Sequence, residues 1–215
     1  ELWDIGGMTD IVIKLAISYA LGSIMGSLLL GKLRRVDIRS MGSGNAGGTN
    51  ALRTQGVAFA LGVIVIDIGK GALAAGWVSG LTLFGDAPTP DWLPYACGAA
   101  AVFGHCFPVF FGFRGGKGAA TLVGTLLVFD AILFPPLLAF FIIVIMLFGY
   151  VGLSTMLTAN MATAVVLWKY GTSNPEFLVY TVIMGIAMVA THHENIKRML
   201  AGTESQNRKL MVFRK

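Results

Sequence analysis

The 215-residue chain is 55% hydrophobic and 13% charged, with a mean hydropathy of +0.74 and a formal charge of +5. Soluble domains carry about 25% charged residues, so the composition excludes an ordinary water-soluble fold and places the chain among integral membrane proteins. The basic residues gather in three clusters separated by long apolar runs, which excludes a nucleic-acid surface and matches loops kept on the cytoplasmic side.

In chain order, the first residues show no basic stretch leading to a cleavage site, so no signal peptide is read. Residues 11–30 form the first predicted span, with Lys14 near its outer end and expected to snorkel to the interface. Lys32, Arg34, Arg35, Arg39 and Arg53 form the first basic cluster, around the polar run GSGNAGGTN at 42–50. The second span, 57–84, holds Asp67 and Lys70 three residues apart, with Gly69 and Gly71 beside them. Ions inside a membrane either neutralise one another or line a site; the glycines equally point to close helix approach. Asp86-Ala87-Pro88-Thr89-Pro90-Asp91 is a turn before the third span, 93–111. That span contains Cys97 and Cys106, read as small buried hydrophobes, and His105, read as a structural hydrogen-bonder.

Arg114 and Lys117 mark the second basic cluster, inside GFRGGKGAAT. The following apolar stretch, 119–168, is interrupted at Asp130 with Pro135-Pro136 and again at Gly149-Tyr150-Val151-Gly152. A spanning helix needs ~20 residues, so this stretch is long enough for two or three crossings. The run at 177–190 adds one more before the basic tail with Lys197, Arg198, Arg208, Lys209, Arg214 and Lys215. Both flanking clusters lie inside, so the crossings between them are even in number. Three in the middle then give seven. The expected fold is an all-α, polytopic membrane protein with seven transmembrane helices, N-terminus outside and C-terminus cytoplasmic. Asp4, Asp10, Asp86, Asp91, Asp130 and Glu176 fall mostly at the outer ends. A single membrane-embedded domain covers 1–215, with a core at about 10–200 and a polar tail at 201–215.

Three polar motifs then share the cytoplasmic face: GSGNAGGTNALR, GFRGGKGAAT and THHENIKRML. The first matches G-x-G-x-x-G at Gly42, Gly44 and Gly47, but no β-strand precedes it, so the dinucleotide reading fails. The second is not a P-loop, because Gly118 rather than Ser or Thr follows Lys117. The physics of such loops still holds. Glycines admit positive φ and turn backbone N–H groups toward one point, making an anion nest. Ser43, Asn45, Thr49 and Asn50 add donors, and Arg53 adds a guanidinium shaped for phosphate. Gly115, Gly116, Lys117 and Gly118 repeat the device before a helix whose N-terminal end favours anions. Glycine-rich stretches also pack membrane helices, and loop cations often only set topology. Three motifs on one face favour a site that holds phosphates. On a helix His192 and Asn195 face the same way, with His193 and Glu194 between them; His192 reads as a base, a phosphate ligand or an exposed polar terminus. No His, Asp or Glu cluster has metal-ligand spacing, and no cofactor is expected.

Through GSGNAGGTNALR, GHCFPVFFGFRGGKGAAT and HHENIKRML the sequence resembles the bacterial acyl-phosphate:glycerol-3-phosphate acyltransferases, the PlsY family, over residues 20–200. The resemblance implies a seven-helix inner-membrane enzyme with its active site on the cytoplasmic side. It would transfer a fatty acyl group from acyl phosphate to the 1-hydroxyl of glycerol 3-phosphate, giving lysophosphatidic acid and inorganic phosphate. Carried over residue by residue, Ser43 and Lys117 with Gly44, Asn45, Gly47, Thr49, Asn50, Gly115, Gly116 and Gly118 would cradle substrate. Arg53, His192 and Asn195 match positions tied to glycerol 3-phosphate binding and catalysis. Asp67, Lys70, His105 and Glu194 stand as a supporting layer. The base is left open between His192 and a substrate phosphate oxygen. Implied partners are the two substrates, the lipid bilayer and a soluble enzyme that forms acyl phosphate. The main rival is a transporter or channel for a small phosphorylated anion, since broken apolar runs also mark carriers, though a carrier should place its polar groups near the midplane. A purely structural membrane protein would leave three polar loops without a purpose.

Overall fold

The computed structural model describes residues 5–83 and 89–213. Asp4, Phe84, Asp86, Ala87, Pro88, Arg214 and Lys215, to which the sequence reading gives charge, turn or span-end roles, lie outside them. The described residues are helical, without strands, and divide into two compact units, 1–129 and 130–215.

The first unit contains α1 (Ile5–Gly22), α2 (Gly26–Arg34), α3 (Gly48–Gln55) and α4 (Val57–Ala72), which runs on through a π-helical turn at Leu73–Val78. It continues with α5 (Leu93–Cys106) and α6 (Ala119–Asp130). Proline in the first turn of α5 suits a position whose N–H has no intrahelical acceptor. α1 packs chiefly on α5, and the π-helical continuation of α4 touches both.

Residues 11–30 are not one straight span. The chain bends by 43° between α1 and α2, at Ser23-Ile24-Met25, without a proline. The cause lies on α4. Lys70 Nζ donates to the carbonyls of Gly22 and Ile24 at 2.7 Å each, and Asp67 Oδ1 accepts from the Gly26 N–H at 3.3 Å. Lys70 and Asp67 pair at 3.2 Å, and both are buried. Unsatisfied backbone groups within hydrocarbon cost several kcal/mol each, so this ion pair makes the break tenable. Of the two flanking glycines, Gly71 is the close approach: a Cβ there would collide with the Thr121 carbonyl, whereas Gly69 faces open space.

Lys14 corrects the snorkelling expectation. Its side chain is 1% exposed and its Nζ lies 2.6 Å from Asp10 Oδ2, one turn earlier on α1. Asp10 Oδ1 also accepts from the Leu83 N–H. A partner on the same helix, with hydrogen bonds to complete the shell, lets the ammonium stay inside.

The second unit contains α7 (Phe134–Phe148), α8 (Val151–Tyr170), α9 (Pro175–Thr191) and α10 (His193–Leu200), followed by a tail. α8 packs between α7 and α9. Asp130 has an extended backbone (φ −161°, ψ 94°), and its carboxylate accepts from Ile132 N–H, Lys169 Nζ and Tyr170 OH. α7 ends at Gly149 in the left-handed region (φ 74°), as helix C-termini commonly do. The tail then returns to that end: Asn207 N–H donates to Gly149 O at 2.7 Å, and Val212 N–H to Met146 O at 3.0 Å.

Four helical stretches are long and apolar enough to cross a membrane: Val57–Val78, Leu93–Phe111, Ala119–Phe148 and Val151–Tyr170. Two bent pairs, Gly6–Gly22 with Gly26–Arg34 and Pro175–Thr191 with His193–Leu200, raise the number to six among the described residues. The protein is therefore multi-pass.

Candidate active site

The first polar loop is built around Asn50. This side chain, 1% exposed, has its amide NH₂ within 2.9–3.0 Å of the Ile38, Met41 and Asn45 carbonyls, and its oxygen accepts from the Ser43 N–H at 2.9 Å. Ser27 Oγ, also buried, donates to Ala46 O at 2.6 Å. Gly42 (φ 56°) and Gly44 (φ 72°) supply left-handed turns that a larger residue would resist. The result is a loop whose backbone is fixed from below while Ser43 and Gly44 stay exposed. It runs into α3 through Gly47, a cap with no side-chain oxygen. The first N–H groups of a helix have no intrahelical acceptor, so this end is open to an anion. Thr49 and Arg53, one turn apart on α3, are both exposed.

The second loop follows α5 and is anchored along its length. Tyr19 OH donates to the Phe107 carbonyl, Val109 N–H reaches Ser23 Oγ at 3.3 Å, and Gly116 N–H donates to His105 O at 3.1 Å. A Cβ on Gly115 would strike the His105 carbonyl, and one on Gly116 would strike the His105 imidazole at Nε2. Only glycine fits there. Lys117 follows, half-buried, and Gly118 (φ 87°) opens α6 by accepting from the Leu122 N–H. The two loops therefore share one construction: glycines in left-handed backbone, then a helix entered through glycine.

Arg39 joins them. Its Nη1 donates to Phe111 O at 3.3 Å and to Arg114 O at 3.4 Å, while Nε and Nη2 hold Asp37 at 2.8–3.1 Å. The Arg39 hydrogen bonds hold the Asp37 carboxyl below its ordinary range, against a smaller opposing effect of burial. Beneath the second loop His105 Nδ1 sits 3.6 Å from Asp67 Oδ1, too far for a hydrogen bond. Neither His105 Nδ1 nor Asp67 Oδ2 has a partner. The pair that caps the α1–α2 break thus also lies against the residue supporting Gly115 and Gly116.

The third motif belongs to the second unit. His192, 4% exposed, ends α9, and its Nδ1 lies 2.7 Å from Met188 O. A carbonyl can only accept, so Nδ1 carries a proton, and in the neutral ring the lone pair then resides on Nε2. Asn195, 6% exposed, donates to Glu204 Oε1 at 2.7 Å and packs on Gly152, where a Cβ would come within 3.0 Å of it. Glu204 Oε2 in turn accepts from Arg198 Nε at 2.6 Å. His193 and Glu194 are exposed and pair with one another, Glu194 also with Lys197.

The structure brings Ser43, Gly44, Asn45, Gly47, Thr49, Asn50 and Arg53 into one unit with Gly115, Gly116, Lys117 and Gly118, and places Asp67, Lys70 and His105 beneath the second loop. It builds His192 and Asn195 into the other unit. Asn50 is a scaffold rather than a presented donor. Arg39 and Glu204 go unremarked as site residues in the sequence: Arg39 is one cation in a cluster of five, and Glu204 lies in a tail with no periodicity. Among the described residues no three His, Cys, Asp or Glu side chains gather to hold a metal.

Residues 12–202 match the glycerol-3-phosphate acyltransferase family model. The chain is 41% identical over 215 residues to a glycerol-3-phosphate acyltransferase of Salinibacter ruber, covering 93% of each protein. It is 40% identical over 195 residues to one of Bacillus velezensis, covering 90% of this chain and 96% of that protein. Among solved structures it is similar to PlsY (YgiH), an integral membrane glycerol 3-phosphate acyltransferase, in its glycerol 3-phosphate form. The TM-score is 0.78 at 28% identity, over 91% of this chain and 94% of that one. The lysophosphatidic acid form of PlsY gives 0.77 at 30% identity.

Proposed function

The chain belongs to the glycerol-3-phosphate acyltransferase family, and on that premise we propose that it transfers a fatty acyl group from acyl phosphate to the 1-hydroxyl of glycerol 3-phosphate. The products are lysophosphatidic acid and inorganic phosphate. The observation that carries the donor assignment is the pair of glycine-entered helix N-termini tied together by Arg39. Such ends bind phosphate through backbone N–H groups and helix dipole.

Acyl phosphate is a mixed anhydride with a good leaving group, so the chemistry needs placement, charge stabilisation and removal of one proton. The Ser43–Thr49 and Gly115–Gly118 backbones, with Lys117, hold the acyl phosphate and screen the charge that develops on its oxygens. Arg53 takes the phosphate of glycerol 3-phosphate. The acceptor oxygen attacks the acyl carbon as its proton passes to His192 Nε2 or to a substrate phosphate oxygen; the acyl–phosphate bond breaks, and phosphate leaves. The Met188 contact supports the first route, because it holds His192 in the tautomer a base requires.

Seven crossings, N-terminus outside, C-terminus and site cytoplasmic, in a bacterial inner membrane, remain part of this proposal. The extended backbone at Asp130 supports the count, because it divides Ala119–Phe148 into two helices although the stretch passes as one by length. A soluble acyl-phosphate-forming enzyme supplies the donor. Purified protein in detergent, given acyl phosphate and labelled glycerol 3-phosphate, should yield labelled lysophosphatidic acid. Folded protein that makes none would refute the assignment, and product from acyl-coenzyme A alone would change the donor.

A further inference from the structure

Among the described residues, two non-glycine residues have positive φ, Arg35 (57°) and Phe113 (60°). Arg35 is accounted for locally. It closes α2, with its own N–H on the Lys32 carbonyl and the Val36 N–H on Gly31 at 2.9 Å, the ordinary reverse turn of a helix end. Phe113 is different. A bulky aromatic in the left-handed region is a rare and strained choice, and it directly follows another left-handed residue, Gly112 (φ 64°). The surroundings enforce it: Phe113 N–H donates to Pro108 O at 2.9 Å, and Arg39 grips the carbonyls of Phe111 and Arg114 on either side. The aromatic ring held this way is not buried. Phe113 is 60% exposed, and Phe110 on the same loop is 61% exposed. Strain that the surroundings maintain without gaining core packing points to function.

The next residues in the chain are Arg114, Gly115, Gly116 and Lys117. In an acyl phosphate only a carbonyl separates the phosphate from the first methylene. A phosphate held at Gly115–Lys117 therefore leaves its chain beside the residue that enters this loop. We propose that Phe113, with Phe110, is the acyl-chain ledge of the donor site, the apolar surface taking the first methylenes beyond the carbonyl. This rests on the acyl-phosphate reading above. It gives the loop two halves: glycine backbone for the phosphate, and an aromatic pushed outward for the chain.

The test uses Phe113→Gly and Phe113→Asn in the full-length protein, since both residues accept left-handed backbone and keep the loop's shape. KM for acyl phosphates of increasing chain length is measured alongside KM for glycerol 3-phosphate and the thermal midpoint. Both variants should unfold within a few degrees of wild type and keep the glycerol 3-phosphate KM. KM should rise about tenfold, the worth of roughly two buried methylenes, for every donor whose chain extends past those first methylenes, and hardly at all for acetyl phosphate, which has none. An unchanged donor KM, or a loss as large for acetyl phosphate as for longer donors, as a general membrane anchor would give, overturns the proposal. Wild-type protein inert toward all acyl phosphates would instead overturn the donor reading beneath it.

Discussion

Asn50 ties four backbone groups of the first loop to one side chain. Asn50→Ala should therefore act on stability as well as on activity. Leaving a buried polar group unsatisfied costs about 1–3 kcal/mol, so thermal unfolding in detergent should show a loss of at least that size. Arg53→Ala makes the contrast: this exposed side chain can go without altering the melt, while KM for glycerol 3-phosphate rises by about tenfold or more, as loss of a charge-assisted contact implies. Were both substitutions to lower stability alike, the division between scaffold and ligand-binding residue would be wrong. Gly116→Ala should cost turnover for a third reason, the collision with His105 that displaces the loop. The Asp37–Arg39 clamp has a definite pH sign. Its depressed carboxyl contributes stability above the ordinary carboxylate range and loses it as pH falls through the lowered value. Donor KM should thus be insensitive to this pair at neutral pH and respond only in acid. At this scale the site was half legible. Residue types and glycine spacing pointed to a phosphate cradle, but whether an asparagine presents its amide outward or folds it inward depends on carbonyls that only the folded loop brings to it.

Elements depend on partners far along the chain. The α1–α2 break has no proline or polar run to announce it; its hydrogen bonds come from Lys70, 46 and 48 positions away. An apolar run therefore read as one span. Lys70→Met should destabilise by about 3–5 kcal/mol, the cost of stranding a buried charge, with two carbonyls also left bare. Asp67→Asn combined with Lys70→Met should cost less than the sum of the two single changes, because the partners share one interaction. Additive losses in a thermal-unfolding cycle would show that they act independently. The interruptions at Asp130 and at Gly149 were legible, because a carboxylate near two prolines and a glycine pair are local signals. The tail was not. Glu204 holds Asn195 and Arg198 from a stretch with no periodicity, so its place depended wholly on tertiary contact.

For the whole molecule, composition settled the membrane class and the motif set pointed to the family, since both follow from residue content rather than geometry. Topology remains the open prediction: a reporter fused after Lys215 should report a cytoplasmic location, and an external one would reverse the orientation. The returning tail has a consequence for biosynthesis. Gln206 reaches the Phe148 carbonyl 58 positions back, beside the bonds from Asn207 and Val212. The end of α7 is thus made long before the groups that complete it leave the ribosome. Until then its last carbonyls await their partners through the insertion of two further helices. A chain ending before Glu204 should therefore carry every apolar segment and still unfold in detergent at a lower temperature than the full chain, because the end of α7 has lost the groups that close it.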